Sequence, residues 1–156
     1  MTHLLRDSAF IQNVEFQAMD KDAFRGLQTL RHLRLDDNSF MDVPTPSLAH
    51  VSNLRELKVG SNPFKTIRDG SFRGLRALRS LGLSACPALK TIESGAFRGC
   101  SDLEKVTITQ NRKLRHIAGK DRLIPKQQKI VNWWGWKFLS MVFSYKLQNY
   151  EKKSTW

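Results

Sequence analysis

From Leu30 onward the chain repeats one arrangement of apolar positions. Leu30, Leu33, Leu35, Phe40 and Val43 are followed by Leu54, Leu57, Val59, Phe64 and Ile67. Then come Leu78, Leu81, Leu83, Leu89 and Ile92, and after them Leu103, Val106, Ile108, Leu114 and Ile117. The units start 24, 24 and 25 residues apart. Each complete unit closes on a second apolar pair: Leu48 with Val51, Phe72 with Leu75, and Phe97 with Cys100. Phe24 with Leu27 marks a degenerate earlier unit that begins near Arg6. Apolar residues two apart point to one side of an extended segment, so every Leu-x-Leu predicts a short strand with its middle residue facing solvent. No single unit can bury its apolar side alone; stacked units bury a continuous column.

Polar letters recur too. Asn38, Asn62 and Asn111 fall where the chain leaves each predicted strand, and Cys86 takes that slot in the fourth unit. An inward amide there satisfies backbone groups that would otherwise be buried unpaired, and a small thiol with a weak donor substitutes for it. These four residues are the predicted structural ladder. With the strands side by side, the variable positions become three columns on one face. The middle column runs Phe10, Arg34, Lys58, Gly82 and Thr107. The preceding column runs Ser8, His32, Glu56, Ser80 and Lys105, and the following one Gln12, Asp36, Gly60, Ser84 and Thr109. Mixed charge on the second and third units beside a small, nearly uncharged fourth unit suits docking of a folded partner, with charge setting register and on-rate. Phe10, His32, Arg34, Asp36, Glu56, Lys58, Ser80, Lys105 and Thr107 are therefore the candidate ligand-binding residues.

The consensus L-x-x-L-x-L-x-x-N-x-F-x-x-I, followed by A-F-x-x-L, resembles the leucine-rich repeat family in its typical 24-residue form. The likeness covers roughly residues 6–117. The A-F-R-G cassettes at Ala23 to Gly26 and Ala96 to Gly99, with Ser71 to Gly74 as a variant, look like those of extracellular animal members such as Toll-type receptors and insect cell-surface adhesion proteins. The resemblance implies an α/β solenoid: a horseshoe segment of about five right-handed units, with a concave parallel sheet and loops or short helices on the convex side. It also implies a non-catalytic module that binds a protein ligand on the concave face, outside the cell or at its surface. The chain departs from such proteins in carrying neither a signal-peptide segment nor cysteine-rich caps.

Charge divides the 156 residues into two compositions. The formal net charge is +12. Residues 1–117 hold 18 Lys and Arg against 12 Asp and Glu; residues 118–156 hold 8 against 2, the same net charge in a third of the length. All four Trp and both Tyr also fall after residue 117. The expected division is a solenoid over 1–117 and a basic, Trp- and Tyr-containing tail over 118–156. Three readings of the tail are open: a cap over the exposed end of the stack, an interfacial membrane segment, or read-through sequence of a partial or alternatively spliced product. The last leaves a fragment without autonomous activity as an alternative. No run reaches the length of a membrane span.

Two further arginine columns, Arg31, Arg55, Arg79 and Arg25, Arg73, Arg98, raise a second function class, a binder of glycosaminoglycan or an anionic membrane surface. Interspersed Asp22, Glu56, Asp69 and Glu93 dilute that field. The lack of aromatic residues interleaved with these arginines argues against nucleic acid. No catalytic constellation or phosphate-cradling glycine loop appears among the four scattered histidines and nine glycines. Two cysteines are too few for a disulfide framework or a closed zinc site. The expectation is no enzyme, no cofactor and no metal.

Overall fold

The computed structural model describes residues 2–5, 7–118 and 129–130. The three-residue strands His32–Arg34, Glu56–Lys58 and Ser80–Gly82 are each centred on the first apolar residue of a Leu-x-Leu, with that centre buried and its flanks half-buried, as the alternation requires. In chain order the elements are β1 (Thr2–Leu5), β2 (Ser8–Ile11), β3 (His32–Arg34), α1 (Thr45–Leu48), β4 (Glu56–Lys58), β5 (Thr66–Ile67), β6 (Ser80–Gly82), β7 (Thr91–Ile92), β8 (Lys105–Thr107), β9 (His116–Ile117) and β10 (Lys129–Ile130). Among the described residues they make two sheets, β1-β2-β3-β4-β6-β8-β10 and β5-β7-β9.

The register is the repeat itself. Leu33 pairs with Leu57, Leu57 with Leu81, and Leu81 with Val106 along parallel strands. All four are buried, as are Leu35, Val59, Leu83 and Ile108 in the row beside them. Each such leucine removed from water contributes about 1.5–3 kcal/mol, so the stack is held mainly by these rows. Phe40, Phe64, Leu89 and Leu114 form the next buried row, and Ile67 and Ile92 lie under the second sheet. On the far side, the rings of Phe72 and Phe97 stack with centroids 5.9 Å apart and planes 16° off parallel. The expected solenoid with a parallel sheet is the observed fold.

Two features were not anticipated. Among the described residues the convex side carries one short helix, α1, but also a second parallel sheet of two-residue strands, β5-β7-β9. The first unit is also closed differently: β1 runs antiparallel to β2, so a hairpin covers the first parallel edge. Beyond it, Val14 and Phe16 occupy the slots that Asn38 and Phe40 fill one unit later, yet they are 37% and 41% exposed. At the end of the stack no preceding unit among the described residues covers them.

Three of the four ladder residues, Asn38, Asn62 and Asn111, bond backbone groups across units. Asn62 Nδ2 donates to the carbonyls of Leu35, Val59 and Gly60 at 2.9, 3.0 and 3.0 Å, while its Oδ1 accepts the Phe40 N–H at 3.2 Å. Asn38 repeats this with the carbonyls of Ile11, Leu35 and Asp36 and the Val14 N–H. Asn111 donates to the Leu83 carbonyl at 2.7 Å and accepts the Cys86 N–H at 2.8 Å. The Cys86 Sγ donates over a long distance, 3.7 Å, to the Ser84 carbonyl. Residues 119–128 and 131–156, on which the readings of the tail and of its membrane contact turn, lie outside the described residues. Lys129–Ile130 pair in parallel with Lys105–Val106.

Candidate functional site

Strand pairing brings the predicted face together column by column. Ser8, His32, Glu56, Ser80 and Lys105 follow one another as register partners, as do Phe10, Arg34, Lys58, Gly82 and Thr107. Every named candidate except Asp36 lies in these two columns; Asp36 lies two residues beyond β3 in the third. On β4, β6 and β8 the columns line a shallow concavity of about 460 Å³.

The charges in the face are not independent. Glu56 sits between two basic side chains on neighbouring positions: His32 Nδ1 lies 3.3 Å from its Oε2, and Lys58 Nζ lies 3.3 Å from its Oε1. Partial burial pushes the Glu56 carboxyl up, but hydrogen bonds and charge from Lys58 and His32 outweigh it, so the group lies below its ordinary value. Glu56 is therefore an anion within a net-positive triad once His32 is protonated. Asp36 is used differently. Its Oδ1 accepts the Gly60 N–H at 2.9 Å, and its Oδ2 accepts Arg34 Nε at 3.1 Å and Gln12 Nε2 at 3.4 Å. Three internal partners make Asp36 a brace across three units, with Arg34 fixed beside it.

The fourth unit is low because its side chains are small. A Cβ built on Gly82 would lie 3.3 Å from Lys58 Cγ, so the missing side chain at Gly82 is the space into which the Lys58 stem leans. A Cβ on Gly60 would lie 2.6 Å from the Ser84 carbonyl oxygen, which makes that close approach of backbones possible only for glycine. Ser84 Oγ accepts from the Thr109 hydroxyl at 2.7 Å, leaving a floor of hydroxyls and glycine flanked by Lys58 and Lys105.

The structure adds residues that the periodic pattern did not single out. Asp37, Ser61 and Ala85 line the rim of the same concavity. They belong to one repeat position with Asn13 and Gln110, and all five have left-handed backbone, φ 52° to 58°. Only Asn13 and Asp37 carry the side chains that advertise such a turn. The repeat spacing alone could have found the others.

The arginine columns are paired in part. Arg25 lies 4.0 Å from Asp22, Arg79 3.9 Å from Glu104, and Arg98 3.2 Å from Asp69; Arg31 donates to the carbonyls of Gln28 and Asn53. Both thiols are buried and free. Desolvation pushes the Cys86 thiol up to about 11, against weak opposition from the backbone N–H groups of Asn62 and Ser61, and the Cys100 thiol up to about 12. Neither is a thiolate at neutral pH, so neither is an activated nucleophile. Among the described residues no three His, Cys, Asp or Glu side chains are grouped to hold a metal ion, and no helix is long and apolar enough to cross a membrane.

Comparison with known proteins agrees with this geometry. Leucine-rich repeat-containing protein 4B of human, mouse and rat is 43% identical over 61 residues, which is 39% of this chain and 8% of the relative. Human leucine-rich repeat-containing protein 4 is 36% identical over 67 residues, 43% of this chain and 10% of the relative. The matched stretch thus spans about a tenth or less of these curated relatives. The crystal structure of human trophoblast glycoprotein superposes with a TM-score of 0.52 over 88% of this chain and 64% of that one, at 14% identity, a likeness of fold. The leucine rich repeat profile matches residues 10–64 and 28–88, together just over half of the chain. With its register, asparagine ladder and stacked leucine rows, the chain belongs to the leucine-rich repeat family.

Proposed function

We infer that the chain is a non-catalytic recognition module that docks a protein ligand against the solvent face of β2-β3-β4-β6-β8, in a cell-surface or extracellular setting. The observation that carries this reading is the register of the two columns, which sets His32, Arg34, Glu56, Lys58, Ser80 and Lys105 on one continuous face. A rigid parallel sheet presents those side chains without a folding cost at binding, which favours affinity for a shape-matched partner. The charges are braced against each other, so they fix orientation and encounter rate, while the low floor at Gly82 admits a protruding side chain from the partner. The buried, protonated thiols offer no activated nucleophile, which supports a binding role over a catalytic one.

The test is an interaction screen of the full chain against an array of purified secreted and membrane-protein ectodomains. Each interaction is remeasured with Lys58→Glu and with Gly82→Arg. Lys58→Glu is expected to slow association, and Gly82→Arg to raise the dissociation rate by about tenfold or more by filling the floor. Ectodomain partners that bind both variants as tightly as the parent chain would refute the assignment of this face.

A further inference from the structure

The second sheet carries a row of cations that the concave face does not explain. Lys65, Lys90 and Arg115 each stand immediately before β5, β7 and β9. They are joined rung to rung: the Lys90 N–H donates to the Lys65 carbonyl at 2.9 Å, and the Arg115 N–H to the Lys90 carbonyl at 3.0 Å. All three side chains are exposed, and none enters an ion pair with a described residue. Adjacent rungs of a sheet are about 4.8 Å apart, so three like charges are stacked within about 10 Å. Such in-register like charges repel one another and give the fold nothing. Exposed Arg112 and Lys113 add to the positive potential at the last rung. Arg25, Arg79 and Arg98 in the arginine columns each have a carboxylate within 4.0 Å, whereas among the described residues no cation of this row is paired with one.

We propose that the row Lys65, Lys90, Arg115 is a binding site for a linear sulfated polysaccharide running along the solenoid axis across β5, β7 and β9. Its width selects the class of polyanion. Asp42, Asp69 and Glu93 lie along its border, engaged respectively with Arg68 at 3.4 Å, Arg98 at 3.2 Å and the Asp69 N–H at 2.8 Å. A strip of positive charge one residue wide, edged with carboxylates, fits a chain of anions and repels a plane of anionic headgroups. The neighbouring position carries Thr66, Thr91 and His116, which supply hydroxyl and imidazole donors beside the cations. Nucleic acid lacks a stacking platform here: Phe16, the aromatic side chain prominent among the exposed apolar residues, lies two units away from Lys65. This site is on a different sheet from the proposed protein-docking face and does not depend on it.

The experiment measures binding of a heparin dodecasaccharide to the full chain by calorimetry across a salt series. The triple variant Lys65→Ser, Lys90→Ser, Arg115→Ser is compared with two charge-matched triples. One is Arg25→Ser, Arg73→Ser, Arg98→Ser on the convex turns; the other is Lys126→Ser, Lys152→Ser, Lys153→Ser. The first triple is expected to bind about tenfold more weakly at low salt, with a log–log salt slope shallower by about two, while the controls lose far less. Restoring Lys65→Arg and Lys90→Arg with Arg115 intact should recover parent affinity, which separates the site from any folding defect. Equal losses in all three triples would mean that net charge alone attracts heparin and would overturn the proposal. So would unchanged binding by the first triple. Row-dependent binding of a thymidine oligonucleotide or of phosphatidylserine vesicles as tight as that of heparin would overturn the choice of polysaccharide.

Discussion

Asn62→Ala is the substitution from which the stacking argument draws its sharpest prediction. Asn62 is fully buried between the second and third full strands, β3 and β4. Its amide meets four backbone groups, and removal does not orphan all of them. The Leu35 carbonyl keeps its bond from Asn38 at 3.1 Å, and the Gly60 carbonyl keeps the Asp37 N–H at 3.2 Å. The Phe40 N–H and the Val59 carbonyl lose their partner. Two buried unpaired groups at about 1–3 kcal/mol each, with little room for compensation in a closed interior, give a loss of about 3–5 kcal/mol. Asn111→Ala provides the internal standard. Asn111 is only half-buried and its two bonds, to the Leu83 carbonyl and the Cys86 N–H, are part-buried, so its loss should be about 1–2 kcal/mol.

Urea denaturation followed by circular dichroism gives the two differences, and native-state amide exchange locates them. Because stability in a stacked array is carried by nearest-neighbour interfaces, the Phe40 amide should lose protection in Asn62→Ala far more than amides of β8. A loss below about 1 kcal/mol, or a Phe40 amide that stays protected, would mean that water or a backbone shift replaces the side chain. The claim that the asparagine ladder closes the interior would then be wrong.

Three further substitutions or conditions test neighbouring steps. Cys86→Asn should raise stability by about 0.5–1 kcal/mol in urea, because an amide in this slot can reach the Val59 carbonyl as Asn62 reaches that of Leu35, whereas the present thiol donates across 3.7 Å to the Ser84 carbonyl. Gly60→Ala should destabilise by about 1–3 kcal/mol, since the new Cβ meets a backbone oxygen at 2.6 Å; Gly82→Ala, which meets only the flexible Lys58 stem at 3.3 Å, should change the urea midpoint little. Both thiols titrate higher in the folded chain, about 11 and about 12, than in an unfolded one near 8.5, so the unfolded state loses its protons first as pH rises. Stability is therefore full below about pH 8.5 and falls above it by about 1.4 kcal/mol per unit per thiol. Cys100→Val should make that alkaline fall shallower, and neither thiol should react with a disulfide reagent at pH 8 until the chain unfolds.

What the sequence disclosed and what it hid follow from the range of the interactions involved. Leu33, Leu57, Leu81 and Val106 could be aligned in advance because a strand hides alternate residues whatever its neighbours are, and a fixed period then sets the register. Columns on the exposed face came with that register at no extra assumption. The state of each charge in them did not, since Asp36 is tied to Gly60 and Gln12, both 24 residues away, and only coordinates reveal that the oxygens point toward those partners. The strands Thr66–Ile67, Thr91–Ile92 and His116–Ile117 escaped notice for another reason: two residues are too few to show an alternation, and stacking alone makes them strands. Ser61, Ala85 and Gln110 are held in left-handed backbone against their own preference, a cost that the ladder and the rows beneath it offset. The cation row on the second sheet was hidden for the same reason as the sheet. Lys65, Lys90 and Arg115 each follow the aligned apolar residues Phe64, Leu89 and Leu114 at a spacing of 25, so the column was written in the repeat, but only the short strands beside it set its members on consecutive rungs of a sheet.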